Sequence, residues 1–88
     1  MDKFILINLN MFTTHNNLFI INEQGMDHVG SFTMEQMPAV LAQMSEQSGI
    51  TEVRIAGNAD FASTLVEDIK TYEMKHYAEN KMNVEVIR

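Results

Sequence analysis

The sequence predicts an α/β fold: a single domain over residues 1–88, built on one five-stranded mixed sheet with elements in the order β-β-β-α-β-α-β. Three observations carry this reading. Apolar runs near the start fill both faces of a strand, two amphipathic stretches bear helix start and stop signals, and two later stretches alternate apolar with polar residues.

Lys3 to Phe12 opens with Phe4, Ile5, Leu6 and Ile7 in an unbroken run, after which Leu9 alternates with Asn8 and Asn10. Apolar residues on both faces place such a strand in the middle of a sheet. Thr13 to Asn17 is a polar turn, since Asn tolerates the left-handed backbone that tight hairpins need. Leu18 to Ile21 is a second run apolar on both faces, and Asn22 to Gly25 is the next turn. Met26 to Ser31 reads as a third strand, weakened by Asp27, His28 and Gly30 in the manner of a sheet edge. Short connections make these three strands an antiparallel meander.

The first helix starts at a capping box, Thr33 with Gln36, flanked by Phe32 and Met37 at the staple positions. Proline fits only the first turn, so Thr33 to Met37 is a capped turn and Pro38 to Gln47 the firm helix. Met37, Val40, Leu41 and Met44 form its buried stripe. Gly49 ends it in a left-handed conformation, with Ile50 making the accompanying apolar contact. Ile50 to Ala56 then alternates, Val53 and Ile55 against Glu52 and Arg54: a strand buried on one side. Gly57 and Asn58 lead into the second helix, with Asn58 as N-cap and Asp60 in the first turn. Its stripe is Phe61, Leu65, Val66, Ile69 and Tyr72, and it runs to about Glu79, where Asn80 ends it. Met82, Val84 and Val86 alternate in a last one-sided strand.

Strands joined by helices of this length are parallel, with right-handed crossovers. The simplest sheet is 3-2-1-4-5 with the second strand antiparallel and both helices on one face. In element order and length this resembles the ribonuclease H-like (actin-like) core over nearly the whole chain. The resemblance implies acidic residues where that superfamily's nucleases hold metals, in the first strand and near the end of the fourth. Here those places hold Asn8 and Asn10, and Asn58 with Asp60 just inside the helix. Glu35 is the lone acid near the start of the first helix. Two-metal chemistry needs carboxylates to hold cations about 4 Å apart, and neutral amides replace them poorly. The actin-like ATPases' glycine-rich phosphate loop has no counterpart between Asn10 and Asn17. The expectation is therefore the frame without the enzyme, with no cofactor and no metal.

Composition narrows the partners. Six basic residues against twelve acidic give a net charge of -6, and the basic ones (Lys3, Arg54, Lys70, Lys75, Lys81, Arg88) form no stripe. This argues against nucleic acid, whose non-specific affinity comes from Lys and Arg displacing counterions. The absence of cysteine excludes disulfides, thiolate metal sites and a cysteine nucleophile. No apolar run approaches the roughly 18 residues of a membrane span, and the first residues lack the pattern of a signal peptide. A cytoplasmic protein is expected, and the Ile, Asn, Lys and Met usage points to a low-GC bacterium.

Two surfaces are candidate sites. Helices confined to one face leave the other face bare, yet the first two strands are apolar front and back. One set, Phe4 and Leu6 or Ile5, Ile7 and Leu9, must point away from the helices. Ile5, Ile7 and Leu9 with Phe19 and Ile21 are taken as the patch, rimmed by Glu52, Arg54, Asn83 and Glu85. Such a patch of a few hundred Å² marks a contact site, and at roughly 2 kcal/mol per buried aliphatic side chain it supports a homodimer or a docked protein partner. The second candidate is the set Asn8, Asn10, Gly57 and Asn58, at the carboxyl ends of adjacent parallel strands, where open α/β sheets bind ligands. Gly57 permits close backbone approach, and the helix N-terminus attracts an anion. The ordinary structural reading is that Asn58 is a cap and the other two amides satisfy loop backbone. His15 in its loop reads as solvated, and Asp27 and His28 as edge decoration. His76 with Glu73 and Glu79 has helical spacing for a weak surface metal site, but a solvated helix face is the far more ordinary explanation. Ser45, Ser48 and Ser63 lack triad context.

Overall fold

The computed structural model describes residues 3–10 and 12–87. Met11 in the opening apolar run, and Arg88, lie outside the described residues. Strands β1 (Phe4–Leu9), β2 (Asn16–Asn22) and β3 (Gly25–Phe32) precede helix α1 (Met37–Ser48), strand β4 (Glu52–Gly57), helix α2 (Ala59–Tyr77) and strand β5 (Asn83–Val86). They form one sheet in the order β3-β2-β1-β4-β5. β1 pairs antiparallel with β2 and parallel with β4, and β4 pairs parallel with β5. The α/β class, the element order and the strand order are as the sequence predicts.

Both helices pack on one side. Met37, Leu41 and Ala42 of α1 share a single core with Ala62, Leu65 and Ile69 of α2, and with Ile5, Ile7, Leu9, Leu18, Val53 and Ile55 of the sheet. The central strand therefore sends Ile5, Ile7 and Leu9 under the helices, where they are 0 to 4% exposed. This corrects their assignment to an open interface. The reason is register: Ile5 stands beside Val53 and Ile7 beside Ile55, whereas Phe4 faces Ile21 and Leu6 lies between Phe19 and Arg54. Side chains alternate with period two along a strand. Phe19, Ile21, Glu52 and Arg54 thus share the helix-free face with Phe4 and Leu6, and cannot share it with Ile5.

The helix signals act as expected. The Thr33 amide donates to Gln36 Oε1 at 2.9 Å and the Gln36 amide to Thr33 Oγ1 at 3.3 Å, a reciprocal capping box. Pro38 sits within the first turn of α1, and Gly49 closes the helix at φ 76° with its amide on the Ser45 carbonyl. α2 departs from expectation at its end. It stops at Tyr77, two residues early, with Ala78 in the left-handed region at φ 59°. Its buried stripe is Ala62, Leu65, Ile69 and Glu73, while Phe61 is 42% exposed. β3 is exposed or half-buried throughout and carries a bulge opposite Leu18 and Phe19, as a sheet edge does. Among the described residues no helix is long and apolar enough to cross a membrane.

Candidate functional site

The crevice at the carboxyl ends of β1 and β4 is built by their parallel pairing, which sets Asn8 beside Ala56 and Leu9 beside Gly57. Gly57 has φ 110°, and a Cβ there would be driven into the Leu9 carbonyl oxygen. Its close backbone approach is therefore made to β1. Asn8, Leu9, Asn10, Phe12, Asn17 and Asn58 line an open concavity of about 290 Å³. The structure thus brings together Asn8, Asn10 and Asn58, with Gly57 in the supporting backbone.

Most of these amides already have structural work. Asn58 Oδ1 accepts the Phe61 amide at 3.0 Å, capping α2. Asn10 Oδ1 accepts the Phe12 amide at 2.8 Å, and the Asn10 amide donates to Asn16 Oδ1 at 2.8 Å. Asn16 is 3% exposed, so this bond satisfies a buried side chain while closing the β1–β2 loop. Asn17 Oδ1 accepts the Ser31 hydroxyl at 2.8 Å and lies 3.0 Å from His28 Nε2. Asn8 is exposed at the crevice floor. An adjoining hollow of about 400 Å³ is lined by Thr13, Thr14, Thr33 and Glu35 among others, and among the described residues neither lining includes a lysine or arginine. Chemically the crevice offers neutral donors and acceptors, not the charge that would hold an anion firmly.

The other candidates separate. His15 Nδ1 lies 2.9 Å from Thr14 Oγ1 in an exposed loop. The His76 ring stacks on Tyr72 with centroids 4.1 Å apart. Glu73 is turned away from solvent at 1% exposure, so the surface set His76, Glu73 and Glu79 is not assembled. Among the described residues no group of three or more His, Cys, Asp or Glu is placed to hold a metal ion.

On the helix-free face, Phe4, Leu6, Phe19 and Ile21 are each half-buried by one another and by their polar neighbours. The Arg54 guanidinium lies over the Phe4 ring, 4.0 Å from its centroid. The His28 ring sits 5.2 Å from that of Phe19. Met26, opposite Ile21, is 60% exposed and extends the apolar surface to the edge strand. Across β4 and β5 the face turns polar, with Asn83 Nδ2 donating to Glu52 Oε2 at 3.1 Å.

Sequence reasoning missed two buried polar residues, Asn16 and Glu73. Glu73 continues the series Leu65, Ile69 at four-residue spacing, which was a readable signal that it faces the core. Nothing local distinguishes Asn16 from Asn17.

No protein-family model matches the chain, and no curated protein does. Solved structures do match in fold. One is Pelota of Archaeoglobus fulgidus, with a TM-score of 0.58 and 15% identity over 98% of this chain. Another is a Bacteroides thetaiotaomicron protein with an actin-like ATPase fold and unknown function, with a TM-score of 0.64 and 13% identity over 97% of this chain. This chain spans 26% of the Pelota chain and 32% of the other. The fold is thus that of one segment of these larger proteins. At such identity the likeness is one of fold alone.

Proposed function

We propose that this chain is a non-catalytic interaction protein with a ribonuclease H-like frame, which associates through the helix-free face of its sheet. The carrying observation is that Phe4, Leu6, Phe19 and Ile21 form a continuous apolar surface on the side away from both helices. The occupant that best fits this face is a second copy of the chain. Arg54 stands directly beside Glu85 on β5 and one pleat from Glu52 on its own strand, so a two-fold arrangement can set arginine against glutamate twice. Each of these side chains is already half-buried, so covering the rest of all four on both copies contributes roughly 1 kcal/mol per side chain, about 8 kcal/mol together, which is comparable with typical association costs. The amides at positions 8, 10 and 58, where the frame's nucleases carry acids, support a role without phosphodiester chemistry. Native mass spectrometry tests the reading. A species of twice the chain's mass supports it, and the single-chain mass at micromolar concentration opposes it.

A second reading, a binding module for a small neutral polar ligand, rests on the concavity beside Asn8. Small-ligand mass retained in the same spectra, and lost in Asn8→Leu, would favour it over self-association.

A further inference from the structure

Glu73 poses a problem that its fold role does not fully answer. The residue is 1% exposed. Oε2 accepts the Lys81 amide at 2.8 Å and the Met82 amide at 3.1 Å, while Oε1 receives only the Met82 amide at 3.4 Å. Among the described residues no cationic side chain pairs with it. Buried charges are ordinarily paired, because leaving one alone in a poorly solvated interior is costly.

Glu73 also lines a cavity of about 230 Å³, at the end of the molecule opposite the asparagine crevice. Ala42 and Met82 provide apolar wall, Tyr77 an aromatic one, and Glu46 a second acid. Lys81, the cation in this lining, holds its ammonium over the Tyr77 ring, 4.7 Å from the centroid. The Tyr77 phenol is held above its ordinary range by desolvation first, and then by Glu46, Tyr72 and Glu73.

We infer that this cavity is a binding site for a small organic ammonium ion, whose charged head meets Glu73 Oε1 and whose short alkyl chain lies against Ala42 and Met82. An apolar wall and an aromatic face suit an alkylammonium better than a metal ion, which would require several oxygen ligands at once. The site is independent of the sheet face and of the asparagine crevice.

The test is an NMR titration of the whole chain with n-butylammonium chloride, with 1-butanol and sodium chloride as controls. Saturable shifts at Ala42, Tyr77 and Met82, with butanol about tenfold or more weaker for want of the charge-assisted bond, are expected. Glu73→Gln should bring the ammonium affinity down to that of butanol. Ser45→Phe, which puts a ring into the cavity from another lining position and leaves Glu73 in the sequence, should abolish binding and keeps the test decisive if Glu73→Gln does not fold. Equal affinity for butanol and butylammonium, shifts reproduced by sodium chloride, or no saturable shifts would overturn the inference.

Discussion

The Arg54 guanidinium carbon lies 4.0 Å from the centre of the Phe4 ring, on the face of the sheet that neither helix covers. An arginine held over an aromatic ring still has N–H groups that can donate to a second molecule. In the isolated chain the stack contributes on the order of 0.5–1 kcal/mol, and it shields Phe4 from water. Arg54→Glu should reverse both effects. It places a third acid beside Glu52 and Glu85, and the expected outcome is self-association weakened by about tenfold or more. Sedimentation velocity of the two proteins at matched concentration checks this, with helix content measured alongside.

Gly57→Ala should destabilise the fold without altering its surface. The residue has φ 110°, and its added methyl group meets the Leu9 backbone, which cannot swing aside as a side chain would. A loss of about 3 kcal/mol or more is expected, since an unfavourable backbone conformation and a backbone clash combine. Urea unfolding gives the value. A loss below about 1 kcal/mol would mean that the β1–β4 pairing relaxes more easily than its register implies.

Glu73→Ala strands the Lys81 and Met82 amides at the entry to β5. A buried donor left without a partner costs about 1–3 kcal/mol, so the variant should lose at least that much in chemical denaturation. Glu73→Gln retains one acceptor oxygen and should lose less. Amide exchange at Met82 should accelerate in the alanine variant ahead of exchange in the core of β1.

The Tyr77 phenol titrates above its ordinary value of 10.0 in the folded chain. Its neutral form is therefore favoured by folding. The stability this contributes is complete below the ordinary value and is lost as the pH rises through the higher folded-state value. Tyr77→Phe should flatten that alkaline decline. Thermal unfolding of both proteins across the alkaline range is the measurement, and an unchanged slope would show that Tyr77 is not its source.

How far these features could be read from sequence differs by type. Capping residues state their role locally through bonds spanning a few residues: Thr33 with Gln36 closes the turn that leads into α1, Gly49 ends that helix, and Asn58 caps the start of α2. The strand order follows from connection lengths. The phase of β1 does not, because Phe4-Ile5-Leu6-Ile7 is equally apolar on both sides and only pairing with the alternating strand β4 settles which side is covered. That information was present in Val53 and Ile55 against Glu52 and Arg54, once Ile5 is known to stand beside Val53. The crevice asparagines were legible as a cluster, but their occupation by Phe12, Phe61 and Asn16 depends on loop geometry. Glu73 was read as a surface residue because a charged side chain in an amphipathic helix usually is one.

The claim on which the account chiefly rests is that the Phe4, Leu6, Phe19 and Ile21 face is a surface for self-association. Sedimentation equilibrium of the chain and of Leu6→Glu at micromolar concentrations tests it most directly. The wild type is expected at a two-chain mass and the variant, still folded, at a single-chain mass. A wild-type chain that remains single across that range, or a variant that still pairs as tightly, would contradict it.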